Sequence, residues 1–388
     1  MSDMEETQDK QFETAAIHSG LDYREQTGAV IPPIYMTSTF ATGNAEGFDY
    51  TRSGNPNFRN LQQSLAQLEG ARHATVFASG VSAMTAVVST LKSGDLVVAE
   101  ENIYGCTYRL FDKVFAKFGV RVDYRDLTDP EQIRTIPEVS PALVWIESPT
   151  NPSLKILDIA AIAQVTRPAG IPLLVDNTFA SSFLQRPLEL GADVSLLSTT
   201  KYGNGHSDCL GGVVCSNSDD WQEKMLFAQK ALGLQPSPFD CWLISRGLKT
   251  QALRMRQHSS NALAVAEHLE NLACTLSARY PFLASHPQHR VARSQMSGGS
   301  GIVTAEFEFS REQAWEFCQA LKLFTLAESL GGVESLVCHP ASMTHASIPR
   351  DVRLQVGISD ALVRFSVGIE HIDDLIADLQ QALERVSR

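Results

Sequence analysis

The chain has 388 residues, of which 44% are hydrophobic and 20% charged, and its formal net charge at pH 7 is −12. The length favours two domains, and the acidic balance argues against a nucleic-acid partner, which needs clustered lysine and arginine. No apolar run approaches the roughly 20 residues that span a bilayer, and the polar first residues do not resemble a signal peptide, so we expect a cytoplasmic protein with no membrane partner.

Residues 1–57 are rich in Thr, Ser, Gly and Pro without sustained periodicity, which predicts an extended arm. From residue 58 to 245, short apolar runs alternate with amphipathic stretches. The runs predicted as strands are 74–78, 96–99, 120–124, 143–146, 173–175, 194–197 and 212–215, and helices are predicted at 58–69, 82–91, 108–118 and 159–167. This alternation predicts an α/β large domain with a mainly parallel, seven-stranded sheet.

The pattern changes towards the carboxyl terminus. A long helix is predicted over 244–272, followed by an alternating strand at 302–309 and helices at 312–321 and 373–386. These elements predict a smaller α+β domain over residues 246–388, joined to the large domain through the long helix.

Three predicted strands end in residues that suit one kind of ligand, because ligands of open α/β sheets lie at the carboxyl ends of strands. The glycine turn at 79–82 leads into a helix and suits a phosphate. Asp176 ends a buried strand, where a carboxylate needs a cationic partner. Lys201 follows another strand, where burial would lower its pKa and favour nucleophilic chemistry. Taken singly, the turn at 79–82 could be a common strand-to-helix connection, Asp176 could cap the next turn, and Lys201 could be a surface charge. Together they indicate an aldehyde cofactor with a phosphate and a ring nitrogen.

Several longer segments resemble one family, the trans-sulfuration enzymes, which are pyridoxal-phosphate proteins of the aspartate-aminotransferase-like fold (fold type I). The segments that carry the resemblance are 49–56, 104–105, 147–152, 175–179, 198–202, 204–208, 326–332 and 343–346. The similarity extends from Ala16 to Leu383. It implies pyridoxal 5′-phosphate as cofactor and residues 58–245 as the domain that binds it.

The resemblance also implies roles for individual residues. Lys201 would bond the cofactor as a Schiff base and later move protons, Asp176 would keep the ring nitrogen protonated, and Tyr104 would stack on the ring and serve as an acid or base. The other groups implied to bind the cofactor are Gly80, Val81, Ser198, Thr200, Asn151 and, from a neighbouring subunit, Tyr50 and Arg52. A shared site requires at least a dimer, and a homotetramer is the assembly that the resemblance implies.

The expected substrates are small amino acids. The residues implied to bind them are Arg364, which would hold the α-carboxylate, and Glu328, Ser329, Arg109, Tyr50 and Arg52. Glu328 resembles the residue of enzymes that cleave or make cystathionine, and the segments 235–240, 246–250 and 285–289 resemble those of the γ-lyases. The predicted reaction is therefore γ-elimination from cystathionine to cysteine, 2-oxobutanoate and ammonia. The alternative is γ-replacement, in which cysteine displaces the ester of a homoserine. A methionine γ-lyase, suggested by Cys106 alone, is less favoured.

Two positions depart from the family pattern. Asn57 stands where threonine is usual, and Gly203 stands where a larger apolar residue is usual. Neither removes a group to which the resemblance assigns chemistry.

A metal hydrolase is the competing class of enzyme. His286 and His289 have ligand-like spacing, but no acidic third ligand accompanies them and the segment is predicted as a surface loop. The seven cysteines form no CxxC pair, which favours reduced thiols over a zinc or disulfide framework. We therefore expect no metal.

Overall fold

The computed structural model describes residues 10–21, 28–346 and 349–386. Its strands are β1 His73–Phe77, β2 Leu96–Glu100, β3 Arg121–Arg125, β4 Leu143–Glu147, β5 Leu173–Asp176, β6 Val194–Leu197, β7 Gly212–Ser216, β8 Thr275–Arg279, β9 Ile302–Phe307, β10 Thr325–Leu326, β11 Leu336–Cys338 and β12 Leu362–Ser366. Its α-helices are α1 Phe12–His18, α2 Pro56–Glu69, α3 Gly80–Val88, α4 Gly105–Arg109, α5 Pro130–Arg134, α6 Ile159–Thr166, α7 Ser181–Leu184, α8 Asp219–Ala231, α9 Pro238–Leu248, α10 Gln251–Glu270, α11 His289–Gln295, α12 Arg311–Ala320, α13 Arg350–Gln355 and α14 Ile372–Val386.

The larger sheet has seven strands in the order β1-β7-β6-β5-β4-β2-β3. All neighbouring pairs are parallel except the two that β7 makes, with β1 and with β6. Every residue of β4, β5 and β6 is buried, as expected for central strands of a sheet whose two faces are both covered. The predicted mainly parallel, seven-stranded sheet is confirmed.

The smaller sheet has five strands in the order β10-β11-β12-β9-β8 and is mostly antiparallel, with a parallel pair only between β10 and β11. Apolar side chains of α10, α12 and α14 share one core with this sheet. By contrast, α9 packs its buried residues against α2 and the larger sheet. The domain boundary at residue 245 stays a prediction, and α9 runs across it.

The predicted single helix over 244–272 is wrong, because α9 and α10 are separate helices. Arg254 supplies a physical reason. Its guanidinium donates to the Gly247 carbonyl at 2.8 Å, where a continuous helix would place a backbone amide, and to the Tyr202 carbonyl at 2.9 Å. At Gly247 a side chain would lie 2.2 Å from the Asn204 carbonyl oxygen, so only glycine permits this close approach.

Smaller differences concern the boundaries of other elements. The predicted helix over 108–118 is a short α-helix, α4, continued by a π-turn at Leu110–Val114 and a 3₁₀ turn at Phe115–Phe118. Helix α3 begins two residues earlier than predicted, at Gly80. None of the helices in the described part of the chain combines the length and apolar content that a bilayer crossing needs.

The amino-terminal arm is more ordered than the sequence predicts. Residues 12–18 form helix α1, whose Ala15 and Ala16 are buried in the core that contains α2. Residues 38–51 form a short hairpin, in which Phe40 N–H donates to the Asp49 carbonyl and Thr51 N–H donates to the Ser38 carbonyl, both at 2.9 Å. The parts of the predicted arm at 1–9 and 22–27 lie outside the described residues.

Candidate functional site

A cavity of about 290 Å³ lies where β4, β5 and β6 end, and residues near the smaller sheet, among them Arg364 of β12, complete its walls. This volume is near the lower end of the range for small-molecule pockets, about 300 Å³. The predicted site residues that line it are Gly80, Val81, Tyr104, Asn151, Asp176, Ser198, Thr200, Lys201, Glu328, Ser329 and Arg364. The structure thus brings most of the predicted site together.

The turn before α3 forms one wall of the cavity. Ser79 caps the helix through its hydroxyl, which accepts from Ser82 N–H at 3.0 Å. A side chain on Gly80 would lie 2.8 Å from the Ser198 Cβ, so glycine lets the start of α3 approach the end of β6. Backbone N–H groups at this helix start and the nearby hydroxyl of Ser198 make a concave donor surface of the kind that binds phosphate. The Thr200 hydroxyl also lies in this wall and donates to the Gly211 carbonyl at 3.2 Å.

Two carboxyl groups lie side by side at the ends of β4 and β5, because Glu147 and Asp176 are register partners. Thr178 donates to Asp176 Oδ1 from its N–H at 3.0 Å and from its hydroxyl at 2.5 Å, while no donor among the described residues bonds Oδ2. Burial raises the pKa of Asp176 to about 6. At neutral pH this carboxylate is ionised and has one oxygen without a partner, an arrangement that suits a cationic ligand.

Glu147 links the carboxylate pair to Tyr104, whose backbone N–H donates to Glu147 Oε1 at 2.5 Å. Burial, together with the charge of Asp176, raises the pKa of Glu147 well above its ordinary value. Burial also raises the pKa of the Tyr104 phenol, with the neighbouring Cys106 acting in the same direction. Tyr104 therefore keeps its proton across the neutral range.

Ser329 connects Lys201 with Arg364. The Lys201 amine donates to the Ser329 hydroxyl at 2.7 Å, and Arg364 Nη2 donates to the Ser329 carbonyl at 2.9 Å. Arg364 Nη1 donates to Asn151 Oδ1 at 2.8 Å, and its buried Nε has no hydrogen-bond partner among the described residues. Burial, and after it the charge of Arg364, lowers the pKa of the Lys201 amine to about 8. Ser329 adopts a positive φ of 109°, a backbone strain typical of functional sites.

Three predicted site residues do not line this cavity. Arg109 donates to the Gly105 carbonyl at 3.2 Å and to Cys106 Sγ at 2.9 Å. Tyr50 and Arg52 lie at the end of the arm hairpin, with the guanidinium carbon 5.5 Å from the Tyr50 ring centroid. Tyr50 and Arg52 therefore do not line the cavity of their own chain.

Several cavity residues were not predicted from the sequence, notably Glu147, Thr178 and Thr344. Glu147 was detectable, because it ends a buried strand in the same way as Asp176. The surface-loop prediction for His286 is wrong. This side chain is buried, and its two nitrogens bond the Leu154 carbonyl and the Gln288 N–H.

The protein family described as Cys/Met metabolism PLP-dependent enzyme matches residues 13–384. The chain belongs to this family. It is 47% identical over 378 residues to a cystathionine gamma-lyase of Bos taurus, covering 96% of this chain and 93% of the relative.

Solved structures of both reaction types are similar to it. A cystathionine gamma synthase of Xanthomonas oryzae pv. oryzae in complex with cystathionine has a TM-score of 0.94 at 42% identity, covering 97% of this chain and 99% of that one. A cystathionine gamma-lyase of Micromonospora echinospora has a TM-score of 0.93 at 40% identity, with the same coverage.

The cavity fits the cofactor that defines this family. Asp176 Oδ2 has no donor and could face a protonated ring nitrogen, the α3 start offers N–H groups to a phosphate, and the Lys201 amine is buried with a lowered pKa. The enzyme is PLP-dependent, and these groups are chemically matched to the three functional parts of pyridoxal phosphate.

Proposed function

We propose that this enzyme cleaves L-cystathionine by γ-elimination, with cysteine, 2-oxobutanoate and ammonia as products. The observation that carries the proposal is the placement of Lys201, Arg364 and Glu328 around one cavity. The similarity to the Bos taurus lyase supports this reaction over the alternatives.

The proposed cofactor contacts follow the walls of the cavity. Lys201 carries the cofactor covalently, Asp176 holds a proton on the ring nitrogen, and Tyr104 covers the ring. The phosphate is bound by Gly80, Val81, Ser198 and Thr200, with Asn151 completing the site and with Tyr50 and Arg52 supplied by a neighbouring subunit. When bound, the cofactor withdraws electrons from the carbon atoms next to the substrate nitrogen.

Arg364 binds the substrate α-carboxylate. Asn151 and the Ser329 carbonyl hold the guanidinium in place, so its remaining N–H donors, which lie in the plane of the group, are preorganised for a carboxylate. Glu328 holds the distal ammonium group of cystathionine by charge attraction. Ser329 and Arg109 complete the proposed substrate contacts, together with Tyr50 and Arg52 of the neighbouring subunit.

Lys201 is the proposed proton carrier. The pKa of the free Lys201 amine, about 8, is close to the ambient pH. Such a pKa suits a group that must both take and return protons. Once the substrate amine has taken its place, Lys201 removes the proton from Cα, gives that proton up, and as a neutral amine again removes one from Cβ, after which the bond between Cγ and sulfur breaks. Water then hydrolyses the remaining unsaturated amine to 2-oxobutanoate and ammonia. Tyr104, which keeps its proton because burial raises its pKa, donates to the departing cysteine sulfur.

One alternative has a specific observation in its favour. The synthase of Xanthomonas oryzae pv. oryzae is as similar in structure as the lyase of Micromonospora echinospora. A comparison of products tests the proposal. The purified enzyme is given cystathionine, or O-succinylhomoserine with cysteine, or methionine. We expect 2-oxobutanoate from cystathionine as the dominant flux, and faster formation of cystathionine from the second mixture would overturn the assignment.

The pH dependence of cofactor capture tests the role of Lys201. Because the neutral amine is the nucleophile, we expect the rate at which cofactor-free enzyme captures pyridoxal phosphate to rise as the pH passes about 8 and then to level off. The Arg364→Gln variant removes a positive charge, so the midpoint should move to higher pH. Rapid mixing with detection of the visible absorption of bound cofactor measures both. The exposed Arg134→Gln is the control, and a rate that does not change with pH would contradict the role.

We also propose a homotetramer located in the cytoplasm. Exposed apolar side chains on the arm, among them Val30, Ile31 and Met36, support burial against other subunits. All seven cysteines are free thiols, which supports a reducing compartment.

A further inference from the structure

Asn57 is one of the departures from the family pattern, and it occupies a buried position at the start of α2 with 3% of its surface exposed. A buried amide is stable only when its donors and acceptor are bonded. Both polar atoms of the Asn57 side chain bond the backbone of the arm. Its Oδ1 accepts from Tyr35 N–H at 2.8 Å, and its Nδ2 donates to the Pro33 carbonyl at 2.8 Å.

Asn55, on the other side of Pro56, completes this arrangement. Its Nδ2 donates to the Tyr35 carbonyl at 3.0 Å, while its Oδ1 accepts from Asn57 N–H at 2.9 Å. The two asparagine side chains therefore bond both peptide groups of Tyr35, as a neighbouring β-strand would do. Nearby, Trp242 Nε1 donates to the Pro32 carbonyl at 3.1 Å.

These bonds lie at the base of the arm, directly before the hairpin over residues 38–51. The hairpin carries Tyr50 at its paired end, where Thr39 and Tyr50 form an antiparallel bridge. Arg59 of α2 extends over the Phe48 ring at 5.1 Å from its centroid and pairs with Glu46 at 2.6 Å. The hairpin is therefore held at two places, at residues 33–35 by the two asparagines and at Phe48 and Glu46 by Arg59, and the direction in which it leaves the body of the subunit depends on both.

A threonine at position 57 could not make the same contacts. Its hydroxyl has one hydrogen to donate and sits closer to the backbone than the amide of asparagine. Although a hydroxyl can accept one bond and donate another, its single oxygen cannot occupy both the Oδ1 and the Nδ2 position, so the bond with the Tyr35 N–H or with the Pro33 carbonyl would be lengthened or lost.

We propose that Asn57 is a positioning residue, which fixes the base of the arm and so sets the placement of Tyr50 and Arg52 in the neighbouring subunit's cofactor site. This inference rests on the proposed function, in which the arm completes a partner's phosphate site. Asn57 acts through the arm and touches neither cofactor nor substrate.

The test compares Asn57→Thr with Gln63→Ala, an exposed control on the same helix. Hydrogen exchange of the peptide containing Tyr35 should be faster in Asn57→Thr and unchanged in Gln63→Ala. The dissociation constant for pyridoxal phosphate should rise about tenfold, which equals about 1.4 kcal/mol. A second variant, Asn55→Asp, keeps the helix cap but loses the donor to the Tyr35 carbonyl and to the Thr51 hydroxyl of the hairpin, and we expect the same direction of change.

Mixed assemblies decide whether Asn57 acts across subunits. When Asn57→Thr subunits are mixed with Lys201→Ala subunits, some intact Lys201 sites receive their arm from a subunit with normal Asn57. We expect those sites to recover the wild-type cofactor affinity. Faster exchange without weaker cofactor binding, or no recovery on mixing, would overturn the proposal. Failure of the proposed role of the arm is a separate result, because Arg52→Gln would then leave the affinity for pyridoxal phosphate unchanged.

Discussion

Lys201→Ala is expected to lower kcat/KM for cystathionine by about 10³-fold or more, because one side chain both anchors the cofactor and carries protons. The structure gives the reason for such a large effect. Lys201 is the amine that the cavity desolvates, with its pKa lowered to about 8, and it donates to Ser329 beside Arg364. No other lysine lines the cavity among the described residues.

Steady-state kinetics at saturating cofactor measure this loss, and mass spectrometry after borohydride reduction identifies the modified residue. Lys249→Ala is a matched control, since Lys249 is also partly buried with a lowered pKa but lies outside the cavity. If the cofactor is trapped on another lysine, or if Lys201→Ala keeps its turnover, the assignment of the anchoring residue is wrong.

Asp176→Asn is expected to lower kcat by roughly 10²–10³-fold, a loss of about 3–4 kcal/mol of the kind seen when one partner of a buried ion pair is removed. The substitution preserves shape, and an amide oxygen can still accept from Thr178. The other atom of the amide would then be a donor that faces the cavity, where the proposed function places a protonated ring nitrogen. The cofactor would lose its proton at that nitrogen and withdraw electrons less strongly.

Cofactor affinity and the visible spectrum of the bound cofactor, measured with kcat, separate this effect from unfolding. Asp158→Asn makes the same chemical change at the cap of α6, where asparagine is an equally good cap, and should leave kcat unchanged. An Asp176→Asn enzyme with normal kcat would show that the ring nitrogen has no need of a carboxylate here.

Much of the site could be predicted because it follows from sheet topology. Asp176, Ser198 and Lys201 come after buried apolar strands, and the carboxyl ends of parallel strands share one edge of a sheet. Local sequence therefore determined which side chains would meet. The smaller sheet gave no such indication, so the approach of Arg364 and Ser329 to Lys201 depended on the family resemblance.

The predictions that failed depend on contacts between distant segments. The break between α9 and α10 follows from Arg254 bonding Gly247, which no local pattern shows. The burial of His286 depends on the Leu154 carbonyl, 132 residues away in the chain.

The packing around Gly203 also depends on the folded structure. A Cβ atom added at Gly203 would lie 3.2 Å from the Thr199 backbone, so a larger residue there would require the loop to shift. The sequence shows that glycine replaces a larger apolar residue at position 203, but it does not show this packing.

The connection from Lys201 through Ser329 to Arg364 has a consequence for how protons and substrates compete. In enzyme with a free Lys201 amine, the charge of Arg364 lowers the pKa of that amine. A carboxylate bound to Arg364 would offset this charge and make the amine more basic. Thermodynamic reciprocity then requires that simple carboxylic acids bind more tightly when the amine is protonated. Binding of a carboxylate to Arg364 and protonation of Lys201 therefore favour each other to the same extent.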